Sequence, residues 1–377
     1  MNRIFLSPPH MGVDEKSYID EVFESNYIAP VGKHITRFEN EISERFGISS
    51  ALALSSGTAA IHLALRFLNV QSDDIVFCAS LTFVGSVNPI LYENATPVFI
   101  DSEPDTWNMS PQALERAFQK YEKMGKRPKA VIVVDIYGQC ADMDAISSIC
   151  KKYDTPIIED AAEAIGSKYK DQYSGTFGNF GIYSFNGNKM ITTSGGGMLL
   201  SHNPDAIAKA RYWATQARDP VVHYEHSEMG FNYRMSNVLA AIGLGQLRIL
   251  NDHIQACRQI FKKYVSELGP LEGIDFMPEP VGYDSNRWLT VMTMEPSIMA
   301  PLEMVNYLEK HNIESRPVWK PMHMQPLFKG AAFFSHQLDP PVCEQLFQTG
   351  ICLPSGPGMS NEEQSSVIAC ILSKLKQ

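Results

Sequence analysis

The 377-residue sequence predicts an α/β protein in two parts, a large unit with a mostly parallel sheet over residues 1–248 and a smaller α+β unit over 249–377. Three observations carry that prediction. Short apolar runs rich in β-branched residues alternate with helix-like segments through the first part, the order that builds a parallel sheet covered by helices on both faces. From Ser236 to about Leu268 the chain is helical in character throughout, despite Gly243 and Gly245, and so long a helix carries the chain out of one unit into the next. Beyond it the pattern changes to shorter, proline-interrupted elements.

In chain order, residues 11–48 read as amphipathic helix broken by a loop at Ser25-Asn-Tyr-Ile-Ala-Pro30. Ala51–Leu54 is the first strand, and Ser55-Ser-Gly-Thr58 is a small polar turn. A helix follows in which Ala60, Leu63, Ala64 and Phe67 recur at i, i+3, i+4 and i+7. Ile75–Phe77, Pro97–Ile100, Ala130–Val134 and Pro156–Ile158 are further strands, with helices at Pro111–Tyr121 and Met143–Lys152. Apolar runs ending at Ser184 and spanning Met198–Leu200 bracket a polar, turn-rich stretch that contains Lys189. In the smaller unit Pro270–Pro280 reads as loop, Trp288–Met294 as a strand and Leu302–His311 as a helix. Ile313–Pro317 reads as a strand, and Pro341–Gln348 and Glu362–Leu375 as helices.

Composition narrows the function classes. A formal net charge of -10 argues against general nucleic-acid binding, which wants a basic face. It leaves room for an anionic small ligand, because helix N-termini hold phosphate locally whatever the overall charge. Seven cysteines without CxxC pairs or metal-ligand spacing imply free thiols in a reducing compartment and no metal site. Two prolines near the N-terminus interrupt any signal-peptide core, and no apolar run approaches a membrane span, so the expected location is cytoplasmic.

Four separated features then combine. Strand, Ser-Gly-Thr turn and helix point the free N–H groups of Gly57, Thr58 and Ala59 at an anion. Phe83 follows a strand and offers an aromatic face. Asp160 ends the run Pro156-Ile-Ile-Glu-Asp160; such a carboxylate is either a helix N-cap or a fixed anion for a cationic ligand atom. Lys189 stands before three glycines, Gly195 to Gly197, whose backbone can adopt dihedrals closed to other residues and approach a bound group. Each is weak alone, since an isolated lysine is usually a surface lysine. Together they fit pyridoxal 5'-phosphate, which needs phosphate donors, a ring face, an anion for the ring nitrogen and a Schiff-base lysine.

At these residues the chain resembles the DegT/StrS-type nucleotide-sugar aminotransferases, enzymes of aspartate-aminotransferase fold (fold type I). The resemblance runs along nearly the whole chain. It is carried by Ser55–Ala60, Leu81–Phe83, Val134–Gly138, Ile158–Ala162, Ser184–Lys189, Thr192–Gly197, Gly230–Met235 and Arg316–His323. Within the family it is most similar to the UDP-4-amino-4,6-dideoxy-N-acetylglucosamine transaminases of bacterial bacillosamine pathways. Leu6–Gly12, Ser25–Pro30, Asn186–Lys189, His223–His226 and Ile351–Gly356 carry that likeness.

The resemblance implies Lys189 as the Schiff-base lysine and proton shuttle, Asp160 on the pyridine nitrogen and Phe83 on the ring. It implies Thr58, Ala59 and Ser184 on the phosphate, and Asn232 reaching it from the neighbouring subunit of a homodimer. Arg234 and His323 match positions near the nucleotide sugar. Glu163, where many members have Gln, would lie near the cofactor's phenolic oxygen, and there either the carboxylate has a raised pKa or the oxygen is protonated. Ser194-Gly-Gly-Gly197 replaces the Gly-Glu-Gly-Gly of many members.

The implied reaction moves an amino group from L-glutamate to C4 of a UDP-linked 2-acetamido-2,6-dideoxy-4-keto-hexose, with Lys189 as acid and base. Dehydration at C3 is the first rival. As the resemblance implies, such dehydratases replace the lysine with histidine or use an iron–sulfur partner, and this chain has the lysine and no cysteine cluster. A non-enzymatic nucleotide-sugar sensor is the second rival. A Rossmann dehydrogenase fits worse, because no Gly-x-Gly-x-x-Gly follows an early strand.

Overall fold

The structure, a computed structural model, describes residues 2–376. Helices α1 (Glu15–Ser25) and α2 (Lys33–Phe46) open the chain. Strands and helices then alternate: β1 (Ser50–Leu54), α3 (Gly57–Phe67), β2 (Ile75–Ala79), α4 (Asn88–Tyr92), β3 (Thr96–Ile100), α5 (Pro111–Lys123), β4 (Ala130–Val134), α6 (Met143–Lys152) and β5 (Ile157–Asp160). A hairpin of β6 (Lys168–Tyr169) and β7 (Gln172–Tyr173) precedes β8 (Phe180–Ser184), β9 (Gly197–Ser201) and α7 (Pro204–Ala214). The helix α8 (Asn237–Leu268) is continuous over 32 residues, its N-terminus capped by the Ser236 side chain on the Leu239 N–H. After it come β10 (Ile274–Phe276), β11 (Tyr283–Asp284), β12 (Thr290–Met294), α9 (Pro301–Lys310), β13 (Arg316–Pro317), β14 (Phe333–Phe334), α10 (Val342–Thr349), β15 (Gly350–Leu353) and α11 (Asn361–Leu375).

The main sheet has the order β1-β9-β8-β5-β4-β2-β3-β14. Strand β9 is antiparallel to both neighbours, and every other pairing is parallel. The mostly parallel sheet is therefore borne out. Both of its faces are covered: Ala51, Ala53 and Phe77 join one apolar cluster, while the alternating Leu52, Leu54, Val76 and Cys78 join another. Burial on both faces is why these strands read as unbroken apolar runs.

A second sheet, β10-β12-β15-β13, is antiparallel throughout and packs against α9 and α11 around a third cluster that includes Tyr264, Met292 and Ile371. Here the reading of Pro270–Pro280 as loop is corrected. Ile274–Phe276 is a strand paired with β12, because Ile274 has an apolar partner face to bury against that local composition does not show. The first residues of the chain lie on this second sheet's side: Ile4 bridges Ile313, Arg3 pairs with Glu309 at 2.8 Å, and the Leu6 carbonyl accepts the Ser355 N–H at 2.9 Å. All seven cysteines are free thiols, six of them buried and Cys370 half-buried. No described helix is long and apolar enough to cross a membrane.

Candidate active site

A cavity of about 340 Å³ opens at the carboxyl ends of β1, β5 and β8, within the range of roughly 300–1,000 Å³ usual for small-molecule pockets. Gly57, Thr58, Phe83, Asp160, Glu163, Ser184 and Lys189 all line it. Residues scattered over 130 positions of sequence meet because parallel strands deliver all their following loops to one edge.

Lys189 sits in the turn between β8 and β9, its side chain only 11% exposed. Its Nζ lies 3.3 Å from Glu163 Oε1 and 4.0 Å from the centroid of the Trp288 ring. The other carboxylate oxygen of Glu163 accepts the Tyr137 backbone N–H at 2.7 Å. Tyr137 can present that N–H because it adopts a left-handed conformation (φ 54°, ψ 20°), uncommon for a non-glycine residue. Burial pushes the Glu163 carboxyl up, opposed by the Lys189 charge and the Tyr137 N–H and aided by the neighbouring Asp160 charge.

Asp160 ends β5 and caps no helix, since residues 161–167 form turns. Its Oδ2 accepts the Ser86 hydroxyl at 2.6 Å and its Oδ1 the Ala162 N–H at 3.2 Å. Ser86 is in turn 2.7 Å from Thr82 Oγ1. Burial raises the Asp160 carboxyl, while Ser86, Ala162 and the Lys189 charge oppose the shift. Asp160 is thus a rigidly held carboxylate facing the cavity, without an ion-pair partner among the described residues.

At the opposite wall α3 begins. Ser56 caps it, its Oγ accepting the Ala59 N–H at 3.0 Å, which takes one of the three expected anion donors. The Gly57 and Thr58 N–H groups remain directed out of the helix end, where N–H groups lack an intrahelical acceptor. The glycines behind Lys189 work differently from the sequence expectation. None of Gly195, Gly196 and Gly197 has positive φ; Ser194 does, at 70°. Gly197 is required because a Cβ there would collide with the backbone of Ser56 and Gly57, so strand β9 can pass against the start of α3.

Four expected site residues do not line this cavity: Ala59, whose N–H is taken by the Ser56 cap, and Arg234, His323 and Asn232. Arg234 is gripped by Glu39 Oε1 at 2.7 Å and the Ala53 carbonyl at 2.9 Å, and the burial of its guanidinium lowers its pKa. His323 lies between Ser80 Oγ at 2.7 Å and Glu344 Oε1 at 3.1 Å and stacks on Phe333. Asn232 forms a backbone bridge to Thr215. Sequence reasoning in turn missed Ser86, Tyr137, Trp288 and Trp319 as parts of the site. Tyr137 and Trp319 stand inside quoted motifs without a role, Trp288 read as a strand residue, and nothing local marks Ser86.

Comparison with known proteins agrees with this geometry. Residues 9–372 match the DegT/DnrJ/EryC1/StrS aminotransferase family. A Bacillus subtilis (strain 168) protein provisionally named pyridoxal phosphate-dependent aminotransferase EpsN is 56% identical over 370 residues, 98% of this chain and 95% of that one. GDP-perosamine synthase of Escherichia coli O157:H7 is 36% identical, covering 96% of each chain. The UDP-4-amino-4,6-dideoxy-N-acetyl-beta-L-altrosamine transaminase of Campylobacter jejuni subsp. jejuni serotype O:2 is 34% identical, covering 70% of this chain and 69% of that one. The crystal structure of the aminotransferase TlmJ from Streptoalloteichus hindustanus superimposes with a TM-score of 0.91 at 27% identity, over 100% of this chain and 99% of that one.

The cavity also passes a chemical test for the family's cofactor. Free N–H groups at a helix end suit a phosphate, a held carboxylate suits a protonated ring nitrogen, Phe83 supplies an aromatic face and Lys189 an amine. The fold, the cavity and the matches converge: the chain belongs to the DegT/DnrJ/EryC1/StrS aminotransferase family and is an aminotransferase whose cofactor is pyridoxal 5'-phosphate.

Proposed function

We propose that the enzyme moves an amino group from L-glutamate to C4 of a nucleotide-linked 4-keto-hexose, specifically a UDP-linked 2-acetamido-2,6-dideoxy sugar, giving the 4-amino sugar for glycan assembly. The observation that carries the aminotransferase half is Lys189 Nζ held at one wall of a cavity that also contains Asp160 and the start of α3. The sugar-nucleotide half is supported by the relatives, which include a UDP-amino-sugar transaminase and a GDP-perosamine synthase. The UDP reading also draws on stretches such as Asn186–Lys189 and Ile351–Gly356. A keto-sugar on a different nucleotide is the alternative, and GDP is the candidate because the GDP-perosamine synthase matches the chain over a greater length.

In this reading Gly57, Thr58 and the Ser184 hydroxyl take the phosphate, Asp160 faces the ring nitrogen and Phe83 covers the ring. Asn232 of a second copy completes the phosphate site, so two chains share each active site. Bound there, pyridoxal 5'-phosphate supplies an aldehyde and an electron-withdrawing ring that spreads the charge left on a carbon losing its proton. Lys189 would supply the amine that holds the aldehyde and, once free, would act as the base and acid that takes and returns the proton of the substrate carbon. Glu163 keeps that amine paired and oriented. Arg234 and His323 act on the sugar nucleotide only by exchanging their present partners Glu39 and Glu344.

The test is to incubate purified enzyme with L-glutamate and either the UDP-linked or the GDP-linked keto-sugar, following 2-oxoglutarate and identifying the amino sugar by NMR. The UDP substrate is expected to turn over and the Lys189→Ala variant to show none. Turnover by that variant would overturn the role of Lys189. Exclusive use of the GDP sugar would overturn the nucleotide.

A further inference from the structure

We propose that Trp288 is a positioning residue for Lys189, holding the free amine over its indole face within reach of the reacting carbon. The inference rests on Lys189 being the reacting amine, as proposed above. Trp288 comes from the C-terminal half, just before β12, and is 2% exposed, yet it lines the same cavity as Lys189. A tryptophan so buried is ordinarily core filling. Here one face of the ring carries the Lys189 ammonium at 4.0 Å, well inside the ~6 Å reach of a cation–π contact and on the aromatic that supports it best.

Two further contacts fix that face in place. The indole N–H donates to the Asn188 carbonyl at 2.6 Å, tying the ring to the residue next to Lys189. The Trp288 backbone N–H donates to Asn286 Oδ1 at 2.8 Å, and Asn286 Nδ2 donates to the backbone carbonyls of Glu163 at 2.8 Å and Ile165 at 3.0 Å. One asparagine therefore registers both groups that flank the amine, the indole face and the Glu163 segment. The fully buried Asn286 is itself accommodated by Gly138 (φ +93°), where any Cβ would strike its side-chain oxygen.

The chemical need follows from the site. With its side chain 11% exposed, the Lys189 ammonium has given up most of its water. Glu163 faces it at 3.3 Å, and the quadrupole of the indole replaces water at the ring side. A long, flexible amine without that second wall has rotamers open to it that lead away from the reacting carbon, which lowers the fraction of time it can transfer a proton.

Three proteins decide the matter: Trp288→Phe, Trp288→Leu and Lys189→Ala. Each is checked for folding by circular dichroism and melting temperature. Two readouts are used: kcat and KM separately for L-glutamate, and the rate at which borohydride traps the cofactor on Lys189, read by peptide mass. The expected order for both kcat and trapping rate is wild type, then Phe, then Leu, with Leu down about tenfold and KM changed less than about threefold. Should the Leu protein not fold, Trp288→Phe decides alone, with a loss of about threefold expected. Wild-type trapping and kcat in a folded Trp288→Leu or, failing that, in Trp288→Phe would overturn the inference. So would a Phe variant as impaired as Leu, because then the aromatic face is irrelevant. Activity in Lys189→Ala would instead overturn the underlying reading, so the two failures are distinguishable.

Discussion

Asp135 and Glu159 lie side by side beneath the active-site floor, both completely buried, and together with Cys140 they bring side-chain atoms within 4.8 Å of one another. Glu159 is well served, accepting the N–H groups of Gly175 at 2.6 Å, Phe177 at 2.8 Å and Gly178 at 3.2 Å. Asp135 is not: its Oδ1 accepts the Ala141 N–H at 3.0 Å, but its Oδ2 has no hydrogen-bond partner among the described residues. Burial first, then the Glu159 charge, raises the Asp135 carboxyl well above the carboxylate range, so a proton on Asp135 directed at Glu159 is the arrangement that resolves the orphan. A raised folded-state pKa contributes stability that is fully present below the unfolded value, near pH 4, and is lost as pH rises through the folded value. Asp135→Asn supplies a permanent donor that does not titrate. Its stability relative to wild type, measured by urea unfolding, is expected to improve as pH rises from 5 to 8, by about 1.4 kcal/mol per pH unit while Asp135 keeps its proton in the folded state. A difference independent of pH would remove the shared proton.

At the scale of elements, the site depends on where α3 starts. Two neighbours set that point: the Ser56 cap, and strand β9, whose Gly197 pairs with both Leu54 of β1 and Ser184 of β8. Because a Cβ at position 197 meets the backbone of Ser56 and Gly57, Gly197→Ala must displace the helix N-terminus or the strand. Expected are a loss of about 2 kcal/mol in stability and about a tenfold weaker affinity for the cofactor, followed by fluorescence titration of the apoprotein. Gly187→Ala is the control, since it does not line the cavity, a Cβ there meets nothing closer than 3.8 Å and the residue has ordinary φ. Equal cofactor affinity in the two variants would show that the close approach of β9 to α3 is immaterial.

Over the whole molecule, the two halves are joined by more than a linker. The helix α8 runs without interruption from the large sheet, where Ala240 and Leu244 are buried, to the third cluster, where Ile260 and Tyr264 are buried. Strand β14, from residues 333–334, forms the edge of the main sheet, and Trp288 and Asn286 buttress the site from the C-terminal half. A fragment of residues 1–248 therefore lacks an edge strand, one cavity wall and the larger part of α8, residues 249–268. We predict that it neither unfolds cooperatively in urea nor retains the cofactor on gel filtration. A soluble fragment with a cooperative transition and bound cofactor would make residues 1–248 an autonomous domain.

The parallel sheet was legible because strands buried on both faces must be apolar at every position, and that pattern survives in one dimension. So was the meeting of Lys189, Asp160, Phe83 and the Ser-Gly-Thr turn in one cavity, because each falls beyond a strand's carboxyl end. The strand at Ile274–Phe276 was not legible, since three residues carry no period and their burial depends on a partner strand sixteen or more positions away. Ser86, Tyr137 and Trp288 were not legible either. A serine that holds a carboxylate, a left-handed tyrosine that offers its N–H and a tryptophan that faces an amine look like ordinary residues until the chain brings their partners to them. The sequence by itself determined the class of fold and which side chains gather at the candidate site. Tertiary structure alone decided how those groups are held, because hydrogen bonds and ring contacts act over a few ångströms in space and leave no spacing in the chain.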